Sequence, residues 1–136
     1  MTPETLDETI PNDAQALAAL AERVGAFLES RDVAPATAYA TSLALEEMAT
    51  NIIKYGYDDS GRHEIHVRLA AGPDGVRLLL EDDGHPFDPL AAPAPNTDLP
   101  LSERGIGGLG IHLVRKTVRE MTYARVGGRN RLEIRV

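Results

Sequence analysis

Residues 105 to 110 read Gly-Ile-Gly-Gly-Leu-Gly, which places four of the chain's twelve glycines in six positions. Such a run lets backbone N–H groups approach an anion closely, and a helix starting there adds free N–H donors and a positive dipole end. The chemistry that fits is a phosphate cradle. The string also satisfies G-x-G-x-x-G, but a dinucleotide loop follows a strand and is trailed by an acidic residue roughly 20 positions on. Here the preceding segment, Asn96-Thr-Asp-Leu-Pro-Leu-Ser-Glu-Arg104, reads as no strand, and the chain holds no G-x-x-x-x-G-K-[ST].

Two further positions could do chemistry on a phosphate. Glu47 and Asn51 are four apart in a segment whose Leu45, Met48, Ala49 and Ile52 share one helical face, so the carboxylate and the carboxamide stack on adjacent turns of the other face. An amide oxygen can ligate Mg²⁺, which keeps most of its other ligands as water and phosphate oxygens. A carboxylate there can take a proton from an attacking hydroxyl or water. The same residues also suit a solvated helix face. Further on, Val76, Leu78, Leu80 and Asp82 fall on one side of a strand by the period of two. Asp82 therefore continues an apolar row, where an unpartnered carboxylate is costly. A base amine is one partner that would satisfy it, with Gly84 leaving room for a flat ring; a plain strand-ending turn at Asp82-Asp83-Gly84 is the other reading.

The elements that must position these groups follow from pattern. Residues 13–31 read as a helix capped by Asn12 or Asp13, with Leu17, Leu20, Val24, Phe27 and Leu28 as its stripe. Pro35 suits the first turn of a second helix that runs to Tyr55 and ends near Gly56. Two strands, about 63–70 and 76–82, flank a Gly72-Pro-Asp-Gly75 turn, and Ile65, Val67 and Leu69 alternate with Glu64, His66 and Arg68, the mark of a sheet wet on one face. Residues 86–104 hold five of the nine prolines and no period, so they form a long loop of the kind that serves as a lid. A third helix over Leu109–Glu120 and two closing strands, about 121–126 and 130–136 around Gly127-Gly128, complete the chain, and Met1–Ile10 can add an edge strand. The expected architecture is an α+β two-layer sandwich, a mixed but mostly antiparallel sheet with helices on one face.

Composition narrows the function classes. A chain of 136 residues makes one domain. A formal charge of −7 argues against a nucleic-acid partner. Cysteine is absent, which removes disulfides and thiolate metal sites. No apolar run approaches the ~20 residues of a membrane span, and the acidic start lacks a signal-peptide pattern; a cytoplasmic protein is expected. Arg115, Lys116, Arg119, Arg125, Arg129, Arg131 and Arg135 make the last quarter basic, either as a docking face or as solvated positions. His63, His66, His85 and His112 show no metal spacing and are read as structural or surface residues.

Taken in order, Glu47-x-x-x-Asn51, Asp82-x-Gly84 and Gly105-x-Gly-Gly-x-Gly110 resemble the N, G1 and G2 boxes of the histidine-kinase-like (GHKL, Bergerat-fold) ATPases. Leu45-Glu-Glu-Met-Ala-Thr-Asn-Ile-Ile-Lys-Tyr-Gly-Tyr57 and Gly108-Leu-Gly-Ile-His-Leu-Val114 are similar to the helix motifs of the compact anti-sigma-factor serine kinases within that group. The likeness covers roughly residues 8–136 and implies a single Bergerat domain over 1–136, binding ATP and Mg²⁺. It implies that Glu47 is the general base, that Asn51 holds Mg²⁺, and that Asp82 accepts from the adenine amine while Gly84 lines the base. Gly105, Gly107, Gly108, Leu109 and Gly110 would wrap the phosphates, with the ATP lid at about 88–107 and Arg104 near a terminal phosphate. His85-Pro86-Phe87 follows Gly84 where larger sensor kinases have a second glycine, so the short type is the better match. The implied activity is phosphorylation of a STAS-type antagonist on serine, with a sigma factor as a second partner and a homodimer as the assembly. An ATP-binding switch that holds its partner without phosphorylating it is the alternative.

Overall fold

In the computed structural model, residues 5–91 and 108–136 are described. The chain runs β1 (Thr5–Pro11), α1 (Ala14–Ser30), α2 (Pro35–Tyr55), β2 (Glu64–Gly72), β3 (Gly75–Asp82), a short 3₁₀ turn at Pro89–Ala91, α3 (Gly108–Thr117), β4 (Glu120–Val126) and β5 (Arg129–Arg135). The strands form one sheet in the order β1-β2-β3-β5-β4. All its ladders are antiparallel, so the mixed sheet expected from sequence resolves into a wholly antiparallel one. The reason is topological. Each outer strand folds back on its neighbour, and after α3 the β4–β5 hairpin returns with β5 antiparallel to β3.

Local sequence accounts for the element ends. The Asp13 carboxylate caps α1 by accepting from Ala16 N at 2.7 Å. Pro35 opens α2, and the Gly56 N–H closes it on the Ile52 carbonyl. The third helix stops at Thr117 rather than Glu120, because β4 already begins at Glu120. At the β4–β5 turn Gly127 and Gly128 sit at φ 58° and 76°, the left-handed pair that a two-residue hairpin requires.

The core lies between the helices and one face of the sheet. Leu20, Val24 and Leu28 of α1, Ala44, Leu45 and Ala49 of α2, and Ile111 and Val114 of α3 pack over Val67, Leu69, Leu78, Leu80 and Ile134. Ile134 has no exposed surface. Replacing it by alanine is expected to cost about 2–5 kcal/mol of stability, since the cavity adds to the lost transfer energy, and a urea titration measures it.

The other sheet face is polar and self-paired. Arg77 meets Glu133 at 3.0 Å and Arg135 meets Glu120 at 3.7 Å. Arg125 instead stands across from Asn130 on the slot side and donates to the Gly84 carbonyl, and Arg119, ahead of β4, donates to the Asp74 carbonyl. Arg129, Arg131 and Arg135 share the polar face of β5. His66 stands between Asp7 at 2.5 Å and Glu81 at 3.2 Å, tying edge strand β1 to β3. The Asp7 hydrogen bond raises its pKa, partial burial opposes this, and Glu81 adds to the rise. A raised histidine pKa contributes stability in full below the unfolded value of about 6.5 and loses it as pH rises through the folded value. Stability measured across that window should therefore fall with rising pH, and Asp7→Asn should flatten the dependence.

No helix among the described residues is long and apolar enough to cross a membrane.

Candidate active site

The ends of β3 and β5, the last turns of α2 and the loop after β3 enclose one slot. Its helix wall is Met48, Asn51, Ile52 and Tyr55, closed by Gly56. Leu80 and Asp82 of β3, Leu132 and Asn130 of β5, and Tyr123 of β4 make the sheet wall. His85, Pro86, Phe87 and Pro89 form the lip. The cavity measures about 140 Å³, close to the ~150 Å³ that admits a benzene ring in an apolar core, and it is open on one side.

Asp82 supplies the charged group of this apolar slot. It is 3% exposed, and desolvation raises its pKa above the ordinary carboxylate range against the pull of the Asn130 and Gly84 hydrogen bonds. Gly84 N donates to its Oδ1 at 2.9 Å and Asn130 Nδ2 to the same oxygen at 3.0 Å. Among the described residues no donor reaches Oδ2. One carboxylate oxygen is therefore held by the protein and the other is available to a donor in the slot. Asp83 turns the opposite way and accepts from the Tyr57 hydroxyl at 2.9 Å. Tyr57 stacks on His63 with ring centroids 3.9 Å apart, pinning the segment after α2 to the end of β3.

Gly84 stands behind the slot rather than in its wall. A Cβ there would lie 2.6 Å from the Gly56 carbonyl oxygen, and His85 N donates to that same oxygen at 2.9 Å. The glycine lets the β3 exit press against the end of α2, which sets the width of the slot.

Glu47 is half-buried and Glu46 exposed, as the helix phase requires. The Glu47 carboxylate lies against the first turn of α3, where a Cβ on Gly110 would come within 2.9 Å of Glu47 Cδ and closer still to Oε2. The last glycine of the run thus makes room for the carboxylate. Asn51, one turn along α2, lines the slot. Gly108 and Leu109 begin α3. Gly105, Gly107, Arg104 and lid positions 92–107 lie outside the described residues. Among the described residues no group of three or more His, Cys, Asp or Glu side chains could hold a metal ion; a cation at Asn51 would need ligands from elsewhere, as Mg²⁺ takes from phosphates and water.

Two slot residues, Asn130 and Tyr123, go unnamed by the sequence patterns above, and His85, read there as a structural or surface residue, lies in the lip. Asn130 was findable: with Leu132 and Ile134 it shares the buried side of β5, the same polar-in-an-apolar-row signal that marked Asp82. His85, which also pairs with Asp58 at 3.0 Å, carries no such signal.

This architecture recurs in solved structures. The RsbU and RsbW domains of Rv1364c from Mycobacterium tuberculosis superpose with a TM-score of 0.61 at 18% identity, covering 98% of this chain and 32% of that one. The histidine kinase domain of the blue-light activated histidine kinase of Erythrobacter litoralis gives 0.54 at 19%, covering 90% and 59%. The fold is therefore that of the GHKL-type ATPases. The histidine kinase-like ATPase domain profile matches residues 10–136, and the chain belongs to that family. Two relatives are serine/threonine-protein kinase BtrW of Bordetella bronchiseptica, 27% identical over 96 residues (71% of this chain, 68% of BtrW), and serine-protein kinase RsbW of Bacillus velezensis, 29% identical over 86 residues. The RsbW match covers 58% of this chain and about half of RsbW, 52%.

Proposed function

We propose that this chain is a Mg-ATP-dependent serine/threonine-protein kinase of a partner-switching system. It phosphorylates a STAS-type antagonist on serine and, in its other state, holds a sigma factor, acting as a cytoplasmic homodimer of one domain. The observation that carries the reading is the buried Asp82 in an apolar slot, with Asn51 in the slot wall and Glu47 one turn away against the first turn of α3. The kinase names of BtrW and RsbW point the same way.

The residues present fit the nucleotide. Asp82 Oδ2 has an open place for the exocyclic amine of adenine, and the Met48, Ile52 and Leu80 side chains suit the faces of a flat base. The α3 start and its glycines suit phosphates, and the Asn51 amide oxygen suits Mg²⁺. When bound, Mg-ATP supplies the transferable phosphoryl group with its charge neutralised. The chain's own contribution is then small in number. Asp82 fixes the base, Asn51 orients the metal, and Glu47 takes the proton from the partner's serine hydroxyl as its oxygen attacks.

Titration calorimetry with Mg-ATP and Mg-GTP tests the nucleotide half of this reading. ATP is expected to bind and GTP to bind at least ~10-fold more weakly, because the guanine O6 would face a carboxylate. Equal affinities would contradict it.

A further inference from the structure

We infer that Asn130 is the positioning residue for base selection: it fixes which oxygen of Asp82 meets the base and anchors the lip of the slot to that same carboxylate. This rests on the adenine-site reading above.

Asn130 is 7% exposed, and its carboxamide makes four hydrogen bonds within the protein. Nδ2 donates to Asp82 Oδ1 at 3.0 Å and to the His85 carbonyl at 2.7 Å. Oδ1 accepts from Phe87 N at 3.2 Å and from the Tyr123 hydroxyl at 2.5 Å. A backbone N–H can only donate, so the Phe87 bond forces Oδ1 to that side and Nδ2 to the other. Both groups on the Nδ2 side are acceptors, so the orientation satisfies every partner. The hydrogen of the Tyr123 hydroxyl is likewise committed to Oδ1.

Two consequences follow. With its donors and acceptor so engaged, Asn130 has little left to offer a ligand, although it lines the slot. Its influence on the base passes through Asp82, whose Oδ1 it occupies together with Gly84 N, and through His85 and Phe87, which it holds in the lip. Tyr123 supports the arrangement from β4.

Asn130→Asp is the decisive variant, because it preserves shape and the two bonds at Oδ1 while replacing the Nδ2 donor with an acceptor. Two carboxylates would then face each other across Asp82 Oδ1, and such a pair tends to share a proton, so Asp82 loses the full charge that strengthens the bond from a base amine to its Oδ2. Affinity for ATP is compared with that for purine riboside triphosphate, which lacks the exocyclic amine, with the melting temperature followed in parallel. The unaltered chain is expected to prefer ATP about tenfold or more. In Asn130→Asp that preference should fall at least about threefold. If Asn130→Asp does not fold, Tyr123→Phe carries the test, since it removes only one donor from Oδ1 and should lower the preference about two- to threefold. An undiminished preference in the folded variant, or equal loss of both nucleotides, overturns the inference. Failure of the unaltered chain to bind either nucleotide overturns the adenine-site reading itself, and the inference falls with it.

Discussion

Glu47→Ala is expected to lower serine phosphorylation about 10²- to 10⁴-fold, the usual worth of a positioned general base, and to leave ATP affinity within about threefold. Glu47 lies outside the slot that suits the base, so its loss removes no contact there. Its carboxylate sits against Gly110 in the first turn of α3, beside the place where phosphates suit the helix start. Single-turnover transfer and nucleotide titration on the same preparation separate the two quantities. Loss of binding in parallel with transfer would make Glu47 a structural support of the glycine segment. Transfer at the normal rate would remove it from the chemistry.

Asp82→Asn is expected to weaken ATP binding about 100-fold. In the native chain Gly84 N and Asn130 Nδ2 both donate to Oδ1. The amide oxygen of the variant must stay on that side, so its NH₂ replaces Oδ2 and turns an acceptor toward a base amine into a donor. The variant loses a charge-assisted hydrogen bond and also leaves two donors opposed, each effect worth roughly 1–3 kcal/mol. Stability should move the other way. Burial raises the Asp82 pKa, so the ionised carboxylate costs folding energy at neutral pH, and a neutral amide of the same shape relieves that cost. A melting temperature equal to or above that of the native chain, with nucleotide binding largely lost, is the expected pair of results. The same raised pKa makes ATP affinity fall as pH drops toward the Asp82 value, beginning above the ordinary carboxylate range near about 3.9. A drop in both stability and binding would show that Asp82 is a structural link between β3 and β5.

Much of this arrangement was legible in the chain because its signals are local. The alternation of Ile65, Val67 and Leu69 and of Val76, Leu78 and Leu80 set the buried sheet face, and one further step along the second row identified Asp82. The four-residue spacing of Glu47 to Asn51 set both on one side of α2, and Glu46, about 100° away, is exposed. The order of the strands was not legible, since the pairing of β5 with β3 joins segments far apart in sequence. The contact that requires a glycine at position 84 was not legible for a similar reason. Its neighbour, the Gly56 carbonyl, comes from another element, and no spacing rule relates the two. Asn130 is different: its row along β5 was as readable as that of Asp82, but the hydrogen bonds that give it meaning cross from β3, β4 and the lip. The arginines of the last quarter divide between the two sheet faces, Arg131 and Arg135 on the polar one and Arg125 opposite Asn130 on the other, a division that charge counting does not show.

The most direct test of the central claim is transfer of label from γ-labelled ATP, with Mg²⁺, to a purified STAS-domain antagonist that binds this chain. Label is expected on one serine of the antagonist, abolished when that serine is replaced by alanine and strongly reduced with Glu47→Ala. Tight ATP binding and stable capture of the antagonist with no label on it would contradict the kinase reading and leave an ATP-gated binding switch.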